Sequence, residues 1–163
     1  MSMVEMAKPS RALLLLFIIA LLHVNGMVTV SSAADEPVYV GTEACGECHP
    51  DHFEAFTKHS KKAKSFTSVQ RMAAKLTPAE LKGCYGCHTT GYGKSGGFRS
   101  EHETPHLKDA GCEVCHGPGS LHAESEDPED LSTVIDVEAC MTCHNSERVA
   151  AFSFKPLLYG GAH

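Results

Sequence analysis

The chain has 163 residues, the length of a single domain, of which 42% are hydrophobic and 21% charged. Its 14 basic residues against 20 acidic ones give a formal charge of −6 at pH 7. That balance excludes the basic footprint of a nucleic-acid-binding protein.

Residues 1–34 read as a secretion signal. Lys8 and Arg11 form a basic start, although Glu5 departs from the pattern, and Ala12 to Leu22 is an unbroken apolar run. That run is shorter than the ~20 residues that span a bilayer, and His23 closes it. Ser32-Ala33-Ala34 places small residues at a cleavage site, so the expectation is cleavage after Ala34 and no stable membrane insertion afterwards. No cysteine lies nearby to carry a lipid anchor. Taking 34 residues from 163 leaves a mature domain, 35–163, of 129 residues. Without Lys8, Arg11 and Glu5 it keeps 12 basic and 19 acidic residues, a charge of −7.

Along the domain, Thr42-Glu43-Ala44 leads into Cys45–His49, and Thr42 is the expected N-cap of a short helix. Pro50 to about Lys64 reads as a helix bearing Phe53 and Phe56. The basic run Lys58, Lys61, Lys62 and Lys64 near its C-terminus is either a solvated face or a docking patch. Thr77-Pro78-Ala79-Glu80 is a capping box with proline at the first helical position, so a helix runs into Cys84–His88. Thr89 to Leu107 is a loop whose Gly91, Gly93, Gly96 and Gly97 permit close backbone approach to a cofactor. Gly117-Pro118-Gly119 forces a turn after Cys112–His116. Glu124 to Asp130 is acidic and exposed, and Asp136 is an N-cap for a helix into Cys140–His144. Val149 to Phe154 is a short apolar stretch, and Gly160 and Gly161 free the last residues. Almost no strand signal occurs.

All eight cysteines lie in four copies of Cys-x-x-Cys-His: Cys45 and Cys48 with His49, Cys84 and Cys87 with His88, Cys112 and Cys115 with His116, Cys140 and Cys143 with His144. This is the attachment pattern of c-type haem. Two thiols one helical turn apart bond the two vinyl groups, and the adjacent histidine falls beneath the iron. A zinc ribbon or a disulfide scaffold would use the cysteines but would not require a histidine after each second one. The reading is four covalent haems with His49, His88, His116 and His144 as proximal iron ligands. Covalent attachment takes place outside the cytoplasm, so the secretion signal and the motifs agree on a periplasmic or extracellular location.

With 129 residues for four haems, the cofactors must form much of the interior. The fold class expected is mainly α: short helices and long loops wrapped around four closely packed covalent haems, with little or no β. Such a chain without its cofactors is expected to be largely unfolded.

Six further histidines remain in the domain. His59 is ten residues beyond His49, about 15 Å along a helix, so it would reach a neighbouring haem. His106 follows Pro105, His122 follows the tight turn after the third motif, and His163 ends the chain on a glycine hinge. These four are the candidate distal ligands. His52, one turn from His49, and His102, between Glu101 and Glu103, read as surface residues. Met141 lies inside a motif and cannot reach an iron's far face, so bis-histidine ligation and low potentials are expected.

The segments YVGTEACGECH, FEAFTKHSKKA, CHTTGYGKSGGF, TPHLKDAGCEVCHGPGSLHA and CMTCHNSE resemble the cytochrome c-554 family of multihaem cytochromes, over most of Val38 to His163. The resemblance implies a mostly helical fold with haems in closely stacked pairs. It also implies that His59, His106 and His163 occupy distal ligand positions, and that the protein carries electrons in the periplasm between an oxidoreductase and a quinone- or terminal-oxidase-linked chain. The family pattern includes a five-coordinate second haem; His122 is available here to fill such a vacancy. Redox protein partners follow from this reading, with donor, acceptor and oligomeric state left open.

Two other functions compete with electron carriage. A redox enzyme for small nitrogen compounds would need an open haem and a nearby acid such as Tyr85. A subunit of an extracellular cytochrome filament could share His163 between copies.

Overall fold

The computed structural model describes residues 36–146. The expected signal peptide and its cleavage site, the stretch from Val149 to Phe154, the glycine hinge and His163 lie outside the described residues. Among the described residues there is no strand. The α-helices are α1 (Thr42–Cys48), α2 (Pro50–His59), α3 (Phe66–Ala73), α4 (Pro78–His88), α5 (Glu113–His116), α6 (Ser120–Ser125) and α7 (Val137–Met141), with 3-10 turns at Lys61–Lys64, Pro105–Leu107 and Pro128–Asp130.

Local chemistry sets most of these boundaries. The Thr77 hydroxyl accepts from the Glu80 N–H at 3.3 Å while the Glu80 carboxylate accepts from the Thr77 N–H at 2.8 Å, so the capping box opening α4 is complete. Asp136 caps α7 by accepting from the Glu138 N–H at 3.1 Å. Gly117, at φ 81°, makes the turn after the third motif.

Two expectations need correction. The helix from Pro50 does not continue to Lys64 but stops at His59. Ser60 turns extended, at φ −88° and ψ 126°, and its hydroxyl accepts from the Lys62 N–H, so the basic run sits mostly on a 3-10 turn. Nor does Thr42 cap α1. The cap position belongs to Gly41, at φ 90°, and Thr42 is the first helical residue. Its hydroxyl instead accepts from the distant Cys112 N–H at 3.3 Å.

Six hydrophobic residues among those described are fully buried: Phe56, Phe66, Val69, Phe98, Leu107 and Ala110. Phe66, Val69, Phe98 and Leu107 form one cluster, ringed by Tyr39, Leu81, Cys84, Tyr85 and Tyr92. The 89–107 loop is held over this cluster. The Thr90 N–H donates to Leu107, and the Thr90 carbonyl accepts from Phe98, both at 2.9 Å. The loop glycines serve packing within the chain: Gly91, at φ 69°, lies flat against the Tyr39 ring, and Gly97 presses on the Gly91 backbone. A core this thin leaves most helical faces without an apolar partner.

Candidate haem-attachment site

Each motif sits at a helix end or on a short helix. Cys45 and Cys48 lie on α1 with His49 as its C-cap, and Cys84, Cys87 and His88 form the last turn of α4. Cys112 immediately precedes α5, which carries Cys115 and His116. Cys140 lies on α7, with Cys143 and His144 just beyond it. All eight cysteines are free thiols, Cys48 exposed and the rest half-buried. The structure thus builds no disulfide scaffold from them. Among the described residues no group of three or more His, Cys, Asp or Glu converges as a cage for a metal ion.

The motifs lie together in two pairs. The third meets the first where Cys112 N–H reaches Thr42 and where the Glu113 carboxylate accepts from Val40 and Gly41, just ahead of α1. The Cys45 and Cys112 thiols hydrogen-bond one another. One proton is therefore lost early, bringing Cys112 down to about 7, and the other is held, pushing Cys45 up. The fourth motif meets the second, where the Cys143 thiol points at the Gly86 carbonyl at 3.9 Å. Burial, then contact with Cys87, pushes Cys143 up to about 12, and burial also raises Cys115.

The histidines show a shared arrangement. His88 Nδ1 lies 3.0 Å from the Ser65 carbonyl, His116 Nδ1 2.7 Å from that of Ser132, and His122 Nδ1 2.9 Å from that of Asp127. A carbonyl only accepts, so each Nδ1 is the donor, which in the neutral ring is the tautomer whose Nε2 can act as a metal ligand. This second-sphere bond is the one that fixes imidazoles as metal ligands. His122 also faces the first motif: its ring centroid is 6.1 Å from that of His49, with planes 15° apart. Two metal–imidazole bonds of about 2.0–2.1 Å end to end, with a ring radius added on each side, separate centroids by roughly 6 Å. The chain thus brings His122 beside His49 of the first motif.

The other sequence-selected residues are more dispersed. His59 ends α2 and is exposed; His106 is exposed with its ring against Gly41; His52 and His102 are exposed. Burial and then the Lys62 ammonium hold His144 below the ordinary imidazole range. Tyr85 packs edge-on to Tyr92 and Phe98, at 5.3 and 5.2 Å, as part of the core cluster.

Three residues escaped the sequence reading. Glu113, a spacer inside the third motif, is 3% exposed and ties three segments together. Ser65 bonds both His88 and Ala110, and Asp109 receives the Phe66 N–H at 2.9 Å. Only the charge at a spacer position hinted at the first, and nothing local marked the others.

No solved structure matches the chain. The family described as cytochrome c554 and c-prime matches residues 44–117. The chain is 40% identical over 99 residues to cytochrome c-554 of Nitrosomonas europaea, an alignment covering 55% of this chain and 42% of that relative. The cofactor such a family implies is covalent c-type haem. The unbridged thiols, the helix-end motifs and the imidazoles with Nδ1 tied to carbonyls fit it. With its first three motifs inside the matched segment, the chain is similar over residues 44–117 to the cytochrome c-554 family, and it spans less than half the length of that curated relative.

Proposed function

We propose that the chain is an exported electron carrier, periplasmic or extracellular, holding four c-type haems on its four motifs and exchanging electrons with redox protein partners. Covalently held iron porphyrins supply reversible one-electron chemistry. The protein's part is to fix their spacing, close their axial positions and set the surrounding charge. In this reading Cys45, Cys48, Cys84, Cys87, Cys112, Cys115, Cys140 and Cys143 form the thioether bonds. His49, His88, His116 and His144 are the proximal ligands, and His59, His106, His122 and His163 are the distal ones.

The observation that carries the reading is the His49–His122 pair, 6.1 Å apart and near-parallel. His49 and His122 together would hold one iron from both sides, which would suit electron transfer because little rearranges on reduction, and would leave that iron no coordination site for substrate. Tyr85, the acid an enzyme would need, has its ring committed to packing. Pairing of the first motif with the third and of the second with the fourth keeps the carriers close enough for electrons to pass between them. No helix among the described residues is long and apolar enough to cross a membrane.

The test is spectroscopic. Paramagnetic resonance of the matured protein is expected to give low-spin signals, and His122→Ala to convert one iron to high spin while His52→Ala leaves the spectrum unchanged. A His122→Ala protein with every iron still low-spin would remove the proposed ligand.

A further inference from the structure

Glu113 is a charged side chain with almost no access to water, 3% exposed, lying between the two cysteines of the third motif. One carboxylate oxygen accepts from the Val40 N–H at 2.9 Å and the Gly119 N–H at 2.8 Å; the other accepts from the Gly41 N–H at 2.8 Å. No cation among the described residues pairs with it. The ion pair formed among the described residues is Arg99–Glu103, on the exposed surface. A carboxamide or a protonated acid would turn a donor toward one of those N–H groups, whereas an ionised carboxylate is acceptor-only and satisfies all three. Three backbone N–H dipoles converge on the carboxylate in place of a salt bridge.

Its position is specific to one motif pair. Glu113 follows Cys112 directly. It also holds Gly41, whose carbonyl lies 3.6 Å from the Cys45 thiol. The field reaches both sulfurs: Glu113 is among the charges that raise Cys45, oppose ionisation of Cys112 and raise Tyr39. Its field is not felt at Cys143 of the fourth motif, nor at Cys115 on the far side of the third; there the Lys62 ammonium acts with the opposite sign, as it does on His144.

Resting on the four-haem reading above, we propose that Glu113 is a redox-positioning charge that makes the haems of the first and third motifs the lower-potential pair, biasing electrons toward the second and fourth. Reduction of ferric to ferrous iron removes one positive charge. A fixed anion nearby stabilises the ferric state and lowers the potential, and burial keeps solvent and salt from screening it. Lys62 favours reduction at the fourth motif and, through Cys115, offsets part of the Glu113 field at the third, so the first motif carries the largest bias.

The experiment uses the matured protein. Haem content is counted first by alkaline pyridine absorbance; fewer than four haems overturns the four-haem reading and with it this inference. Site-resolved potentiometry, followed through the haem methyl resonances, then compares wild type with Glu113→Gln. The expected result is an upward shift of the first- and third-motif potentials, seen as a several-fold rise in their reduced-to-oxidised ratio at fixed ambient potential, with the second and fourth moving less. Equal shifts at all four, or none, overturn the inference; a clamp that was only structural would lower the melting temperature and leave the potentials in place. Should Glu113→Gln not mature, the wild-type order decides: first- and third-motif potentials above those of the second and fourth sink the proposal.

Discussion

Asp109 shows how one side chain links the motifs to the core and what that costs. Its carboxylate accepts the Phe66 N–H at the start of α3, and burial, the largest influence, raises its pKa from 3.8 despite that bond and the nearby Lys108. The folded chain therefore holds a proton there more readily than the unfolded one. That favours folding at acid pH, and the advantage is lost as the pH rises through the raised value. Asp109→Asn keeps an oxygen for Phe66 and carries no charge. Its melting temperature is expected to exceed that of wild type at pH 7, with the difference closing as the pH falls through the raised value toward 3.8. A variant less stable than wild type at pH 7 would contradict the assignment.

At the scale of elements, what could be read in the sequence was what is local. The Thr77–Glu80 box and the Asp136 cap draw on partners two or three residues away, and both are present as expected. Thr42 deceived because its competing bond is not local, whereas at Ser60 a local bond competes with continuation of the helix. The Thr42 hydroxyl is claimed by Cys112, 70 residues on, and Ser60 bonds forward to Lys62 and closes α2 early. The motif residues, the scarcity of strand and the acidic, exposed 124–130 segment were legible too. Which motif lies beside which was not, because pairing is set by contacts such as Glu113–Gly41 that span 72 residues. The box yields a simple prediction. Thr77→Ala removes the hydroxyl that receives the Glu80 N–H and should cost about 1 kcal/mol, read as a lowered denaturant midpoint with unchanged slope. The Glu80 carboxyl, held below its usual range by the Thr77 N–H and hydroxyl, contributes above that range; the Thr77→Ala deficit should therefore shrink as the carboxyl protonates in acid.

Over the whole molecule, six buried hydrophobic side chains cannot by themselves hold the described residues in a compact fold. The chain produced without haem attachment is expected to show little helical circular dichroism and no cooperative melting, while the matured protein shows both. A cooperative transition in the haem-free chain would mean that side chains alone suffice.

The tie between Glu113 and the backbone of Val40 and Gly41 also bears on the order of biosynthesis. A polypeptide emerging from its N-terminus delivers Cys45 and Cys48 long before residue 113 exists. The clamp that seats the first motif cannot close during that interval. In the four-haem proposal, attachment at those two sulfurs in that interval would act on an unfolded strand, and the first cofactor would help template the architecture that later encloses it.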